Sequence, residues 1–362
     1  MKRRTTLQRR LLLSHLKWRE IEDLICLRNA KKRRDFHSRH GLLDIPHMRD
    51  EDFRRQFRIE KADLGALLSA LEVPESFTSA QGIAVPGDEA LCIMLRRLAY
   101  PNRLFDLERV FGRHSSTISS IANLVMSHIH EKFGHLLSDV NNHSWLSLAN
   151  LELFSQAVHD KGAPLDNCWG FLDGTARPIC RPSKDQRQYF SGHKRLHVLK
   201  CQALMCANGM ICELDGPFEG NWHDAGMLHI SGLYEKMKAL CQEQSYVIYG
   251  DPAYPLRRHL LKPYRGPTLQ QPQVDFNKAM SSVRQAVEWG FGNVVTEFAF
   301  VDFKKNQNML LQRVPQMYKV ATLLANCHTC LYGSLVTSYF HVDPPSLEQY
   351  LQPRGREGAV KL

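Results

Sequence analysis

Cys168-Trp169-Gly170-Phe171-Leu172-Asp173-Gly174 is a short apolar run that ends abruptly in an acid. A continuous apolar run of this length, closed by a turn signal, reads as a buried strand. The same pattern returns at Tyr246-Val247-Ile248-Tyr249-Gly250-Asp251. A carboxylate at the end of a buried strand is costly unless it reaches an exposed sheet edge or meets a cation. Ligand sites of α/β sheets gather outside the carboxyl ends of the strands. Two such acids therefore point to a site as well as to a sheet.

Between the two runs, the pattern predicts a strand over 196–207, a turn at Asn208-Gly209 and a strand over 210–214. An Asn-Gly pair between apolar runs is a strong hairpin signal. Helices are expected over 225–240 and over roughly 277–297. On the second, Met280, Val283, Val287 and Phe291 share one face, and Arg284 and Glu288 stand side by side at i,i+4. Asp173, Asp251 and Glu288 can thus converge on one point. Such an oxygen-only acidic set suits Mg²⁺ or Mn²⁺. Two such ions about 4 Å apart can clamp the attacking and leaving oxygens of a phosphodiester. An Asp before Gly or Pro is also a common turn residue, so spacing alone does not establish the site.

Upstream the chain is helical. Acids open a helix near Asp50, and Leu64, Leu67, Leu68 and Leu71 recur at helical spacing before Pro74 and the polar stretch 75–82. Asp88 is a plausible N-cap for a helix that Pro101 stops. Leu104, Leu107, Val110 and Phe111 mark another, ended by Gly112, and Ser115 or Ser116 caps a third with Ile118, Ile121, Leu124 and Val125 inward. This is a helix-turn-helix-like pattern. Arg113, His114, Ser116 and Thr117, with Ser119 and Ser120, would meet phosphates and base edges; a plain helical bundle is the competing reading.

The 362 residues carry a net charge of +10, with 43% hydrophobic and 23% charged residues. The excess suits a polyanionic partner, nucleic acid before anionic membrane. Residues 1–60 hold 17 Lys and Arg against 9 Asp and Glu, and Lys31-Lys32-Arg33-Arg34 follows earlier basic runs. A phosphate-contacting arm or a nuclear address is preferred over a solvated tail. No apolar stretch approaches the roughly 18 residues that span a bilayer, and Leu11-Leu12-Leu13 is too short for a signal-peptide core. The 10 Cys suit reduced, buried thiols of an intracellular protein. Cys327 and Cys330 lack a second ligand pair with zinc-site spacing.

Leu172-Asp173-Gly174-Thr175, Gly250-Asp251-Pro252-Ala253-Tyr254-Pro255 and Val287-Glu288-Trp289-Gly290-Phe291-Gly292, in that order, resemble the three acid motifs of the PIF/Harbinger superfamily of DDE transposases and their domesticated nuclease relatives. Gly220-Asn221-Trp222-His223-Asp224-Ala225-Gly226-Met227-Leu228 resembles a further motif of that family. The resemblance covers about residues 165–333 and runs more weakly through 50–130, including Phe53-Arg54-Arg55-Gln56-Phe57-Arg58. It implies an α/β fold: an RNase H-like mixed sheet with flanking helices, preceded by the helix-turn-helix-like region. It implies a divalent-metal-dependent endonuclease or transposase acting on double-stranded DNA, with Asp173, Asp251 and Glu288 as catalytic and metal-binding acids. It also implies a nuclear protein with a Myb-like partner protein; an oligomer is compatible with it. The alternative is a domesticated, catalytically silent DNA-binding adaptor. A phosphohydrolase acting on other substrates fits the basic arm poorly.

The chain departs from the family at Trp289, where a basic residue is usual, and at Asn326-Cys327-His328, a loose match to the terminal motif. Asp224 is either a fourth acidic neighbour of the metal or the N-cap of the helix from Ala225, the cap being preferred. Lys184, Arg187, Lys194 and Arg195 are candidate phosphate contacts, and packing accounts for His193, His197 and His223. The expected division is a basic arm over 1–49, a helical DNA-binding region over 50–135, a connector over 136–164, the nuclease domain over 165–333 and a tail over 334–362.

Overall fold

The structure, a computed structural model, describes residues 41–309 and 311–352. The basic runs before residue 41 lie outside the described residues.

Helix α1 (Asp50–Phe57) has three acids in its first turn and buries Phe53 and Phe57. Helix α2 (Leu64–Ala70) follows. The stretch expected to be a polar interruption instead pairs β1 (Ser76–Thr78) with β2 (Ala84–Pro86). Helix α3 (Gly87–Ala99) is fully apolar along one flank. Its N-cap is Pro86 rather than Asp88. Helices α4 (Leu104–Phe111) and α5 (Ser115–Phe133) are joined by a short turn in which Gly112 takes the left-handed conformation. His114, not a serine, caps α5, its ring accepting from the amide of Ser116. Helix α6 (Leu148–Asp160) then leads into the sheet.

Strand β3 (Cys168–Pro178) is central. It pairs antiparallel with β5 (Leu196–Cys206) and parallel with β7 (Val247–Gly250). β5 pairs antiparallel with β6 (Ile211–Glu219) and with the short β4 (Phe190–Ser191). β7 pairs parallel with β8 (Leu260–Leu261). The result is one mixed sheet, antiparallel on the hairpin side of β3 and parallel on the other.

The helix expected over 225–240 is two: α7 (Asp224–Ser231) and α8 (Leu233–Cys241), broken at Gly232 at φ +66°. Helix α9 (Gln271–Glu297) begins earlier than its apolar face suggests, with Pro272 in the first turn. Its contact with the sheet is close at Gly290, where a Cβ would come within 1.6 Å of the Met205 methyl on β5. Helices α10 (Val314–Tyr332), α11 (Leu335–Phe340) and α12 (Leu347–Leu351) complete the fold. Asn326 of α10 ties the helix to the sheet edge: it exchanges hydrogen bonds of 3.0 and 2.8 Å with the Ile211 backbone and donates to the Tyr350 hydroxyl at 2.9 Å. One hydrophobic core runs from Phe53 through both sheet faces to Leu351.

Candidate active site

The register places the acids. Leu172 of β3 lies opposite Gly250 of β7, so Asp173 and Asp251 follow equivalent positions of adjacent parallel strands. β7 stops at Gly250 whereas β3 continues along β5 to Pro178. The two strands part there, and both acids lie half-buried at the gap. Helix α9 packs against β3, and Arg284 NH1 stands 3.3 Å from Asp173 Oδ2. Glu288 follows one turn later on the same helix and is exposed.

Each acid has a local tether. Asp173 Oδ1 accepts from the amide of Gly174 at 2.9 Å, and Asp251 Oδ1 accepts from that of Ala253 at 2.7 Å. Burial pushes Asp173 up to about 6; Arg284 and the Gly174 amide oppose the shift, and the charges of Asp251 and Glu288 add to it. The three acids singled out in the sequence therefore share one electrostatic field.

Asp224 joins them. It is the first residue of α7, which His223 precedes as N-cap, and its side chain makes no capping hydrogen bond. The cap reading is thus corrected. The Asp224 carboxylate faces β3, 3.2 Å from where a Cβ on Gly174 would sit. Burial raises it, and so does the charge of Asp251, against Lys200 and His223.

Two participants were missed in the sequence. Lys200 on β5 donates to the Trp222 carbonyl at 2.6 Å and brings a cation near Asp224. Tyr254 is fully buried, its hydroxyl has no hydrogen-bond partner, and burial together with Asp224, Asp173 and Asp251 raises it far above the ordinary tyrosine value. Its only sequence signal is an aromatic three residues after the second strand-end acid. Gly250 makes room for it: a Cβ there would lie 2.9 Å from the Tyr254 ring.

The candidate DNA contacts separate. Lys194 and Arg195 are exposed, on the loop between β4 and β5, and Lys184 and Arg187 are exposed on the preceding segment. Ser116 is exposed at the start of α5, and His114 is half-buried. Arg113 is buried, donating to both oxygens of Glu89 at 2.6 Å, and Thr117 is buried as well. Neither is on a surface that DNA can reach, which corrects both assignments. Trp289 packs edge-on against Tyr339, with ring centroids 5.1 Å apart. An indole fits that contact where a basic side chain would be desolvated.

Residues 172–326 match the family model of the DDE superfamily endonucleases. That stretch is similar to a DDE superfamily endonuclease domain. The match begins one residue before Asp173 and ends on Asn326, the residue that ties α10 to the sheet. Protein ALP1-like of Arabidopsis thaliana is 25% identical, over 76% of this chain and 70% of that protein. No solved structure matches the chain. Both matches agree with the transposase-derived resemblance of the motifs.

The donor set at the ends of β3 and β7 is chemically suited to a hard divalent cation, being carboxylate oxygen with a free phenol beside it. Among the described residues, no three His, Cys, Asp or Glu side chains are grouped closely enough to hold a metal ion. Asp173 is instead held towards Arg284, and Asp251 towards its own turn. No described helix is long and apolar enough to cross a membrane.

Proposed function

We propose that the domain is a divalent-metal-dependent DNA endonuclease of transposase type, with an RNase H-like sheet and with Asp173, Asp251 and Glu288 as its catalytic acids. The observation that carries this reading is the register: two acids leave adjacent parallel strands at the same level, under a helix that supplies the third. The strand order, antiparallel on one side of β3 and parallel on the other, supports the RNase H-like assignment.

Mg²⁺ or Mn²⁺ held by Asp173, Asp251 and Glu288 would activate the attacking water or 3′-hydroxyl and neutralise charge on the leaving oxygen. The protein's own groups do the rest. Asp173 and Asp251 are fixed by strand ends and turn amides, so little reorganisation is needed to orient them. Arg284 lowers the repulsion among the acids. The Tyr254 hydroxyl is a buried donor with free capacity toward whatever the acids bind. Lys184, Arg187, Lys194 and Arg195 sit on the extension of β3 and β5 beyond the acids and would grip the phosphate backbone of double-stranded DNA. Helices α4 and α5 would add a helix-turn-helix contact through His114 and Ser116. A nuclear location and a Myb-like partner protein belong to the same reading.

The test is cleavage of duplex DNA in Mg²⁺ and in Mn²⁺ by the parent and by Asp173→Asn, Asp251→Asn and Glu288→Gln. Each substitution keeps the size and removes the charge that holds the ion. Cleavage should fall at least about a thousandfold, equivalent to about 4 kcal/mol, with the melting temperature level or slightly raised. Variants that cleave like the parent would remove the triad. A parent that binds DNA but cleaves none would leave the silent adaptor as the function.

A further inference from the structure

Buried arginines in this protein are usually matched with an acid. Arg113 is bidentate on Glu89, Arg177 meets Asp302 at 3.1 Å, and Arg284 meets Asp173 at 3.3 Å. One group breaks the pattern. Arg58, at the end of α1, and Arg96, near the end of α3, both lie over the Tyr100 ring, with guanidinium carbons 4.7 and 4.3 Å from its centroid. Neither has an acidic partner among the described residues, and the Nε of each is buried with no acceptor. The only side-chain hydrogen bond of the pair runs from Arg96 to the Asn102 side chain, at 3.3 Å. Arg97 continues the row: it donates to the Asn102 carbonyl at 2.8 Å and lies 4.0 Å from the centroid of the Phe300 ring. It also lines a cavity of about 290 Å³, as does Arg313.

The negative ends of α1 and α3 attract cations here. That attraction does not explain why the guanidiniums of Arg58 and Arg96 are partly desolvated, placed beside one another and each left with a buried Nε that meets no acceptor, because burying an unmet charged donor is unfavourable. Burial and the neighbouring Arg58 both pull Arg96 below the ordinary arginine value. The tyrosine face offsets part of this and holds the two forks in fixed orientation.

We propose that Arg58, Arg96 and Arg97, ordered on Tyr100 and Phe300, form a binding site for successive phosphates of a nucleic-acid backbone. The proposal rests on the DNA reading above and adds to it a contact surface on the helical region. The wall of the cavity that Arg97 lines favours a phosphodiester over an acidic peptide: Ser119, Asn123 and Gln312 add neutral donors beside Arg97 and Arg313. Arginine mixed with Ser, Asn and Gln is the set that meets phosphate and sugar oxygens. The site carries no base-reading arrangement, so it contributes affinity without sequence preference.

The experiment measures duplex binding by fluorescence anisotropy across a salt series, with the full chain and with Arg58→Gln/Arg96→Gln. Each phosphate contact contributes about 0.9 to the slope of log affinity against log salt, so the double variant should lose about 1.8. Arg58→Lys/Arg96→Lys should recover most of that slope. Arginine modification by a glyoxal reagent, read by mass spectrometry on the parent, needs no variant to fold: duplex should protect Arg58 and Arg96. An unchanged slope and no protection, in a parent that binds duplex, overturn this site and leave the endonuclease reading standing. Protection by tripolyphosphate but not by duplex overturns the backbone assignment in favour of a free polyphosphate ligand. A parent that binds no duplex at any salt overturns the site and the DNA reading together, whereas loss of cleavage with the arginine-dependent slope intact overturns only the enzyme.

Discussion

Two groups of acids gather at the same sheet and are treated in opposite ways. On β6, Glu213 is 1% exposed and Asp215 lies two residues on. Lys236 of α8 reaches both, at 2.7 and 3.6 Å, and also donates to the Ser138 carbonyl at 2.7 Å. The Val140 amide donates to the second Glu213 oxygen at 3.1 Å. Every strong acceptor of Glu213 is therefore met within the fold. At the ends of β3 and β7, four acids share the Arg284 ion pair and a more distant Lys200, and a buried tyrosine hydroxyl beside them has no partner. The first group is closed around Glu213, with Asp215 Oδ2 left without a hydrogen-bond partner, and ties α8 and the segment after α5 to the sheet edge. The second is left open, as a site that must accept a ligand has to be.

The largest effect expected from this contrast is at Lys236. Lys236→Met leaves Glu213 buried without its cation and cuts the tether to Ser138. Burial and the Asp215 charge already raise Glu213 to about 9 against Lys236, so the acid can take up a proton, and what the variant loses is the pair of charge-assisted hydrogen bonds to Glu213 and Ser138. At about 1.5–3 kcal/mol each, urea unfolding should show a loss of about 3 kcal/mol or more. Arg284→Met should cost less than about 1 kcal/mol, because Arg284 meets Asp173 only as a 3.3 Å ion pair, with no hydrogen bond from its Nη1, and Asp173 can take up a proton as well. Equal losses at the two positions would erase the distinction between a closed and an open group.

The next effect is a pH dependence. Burial raises Asp173 from 3.8 to about 6 in the folded protein. A raised folded value means that its stabilising contribution is fully present below pH 3.8 and is lost as pH rises through 6. Asp173→Asn has no such loss. Measured in chelator, the stability of the variant relative to the parent should therefore rise between pH 4 and pH 7, by about 2–3 kcal/mol. His143, fully buried and pulled down to about 4 by burial, acts in the other direction over an overlapping window: its contribution is present above pH 6.5 and lost as pH falls through 4. It is common to both proteins and cancels in the difference. A difference that is flat with pH would mean that Asp173 is solvated or fully satisfied by Arg284, and the open group would lose its strained member.

The contrast also explains what the sequence could reveal. The apolar runs 168–172 and 246–249 were legible because parallel strands buried on both faces are continuously apolar. The far half of β3 was not, since Gly174–Pro178 is mostly half-exposed and has no apolar rhythm. The β1–β2 hairpin was read as loop because each strand is three residues and only Val85 is fully buried. The start of α9 was missed because 271–277 is mostly polar, with only Val274 and Phe276 apolar and not at helical spacing from one another. Asp173, Asp251 and Glu288 stood out as acids after apolar runs or on an amphipathic face. Pairings that join distant segments gave no local signal. Arg284 was visible as a neighbour of Glu288, but its contact with Asp173 depends on how α9 crosses β3. Arg113 shows the converse error: a basic residue before a helix looks like a phosphate contact until Glu89, 24 positions earlier, is found beneath it.

The smallest expected effect decides whether Asp224 belongs to the open group. Gly174→Ala places a methyl 3.2 Å from Asp224 Oδ1 and 3.6 Å from the Met227 methyl. The strand gains a better strand former, since glycine inside a strand is destabilising by roughly 0.5–1 kcal/mol relative to alanine. The crowding falls on the end of an acidic side chain and on a flexible methionine, both able to shift by a few tenths of an ångström. Stability should therefore change by less than about 1 kcal/mol in either direction. Cleavage should respond differently. If Asp224 helps hold the reacting ion, displacing its carboxylate lowers cleavage about tenfold, equivalent to about 1.4 kcal/mol, and Asp224→Asn lowers it at least as far. If Asp224 serves only the first turn of α7, Gly174→Ala cleaves like the parent, and Asp224→Asn shows a small loss of stability with cleavage intact. Melting curves and cleavage rates for the two variants separate these outcomes, and the second would reduce the open group to the three acids on β3, β7 and α9.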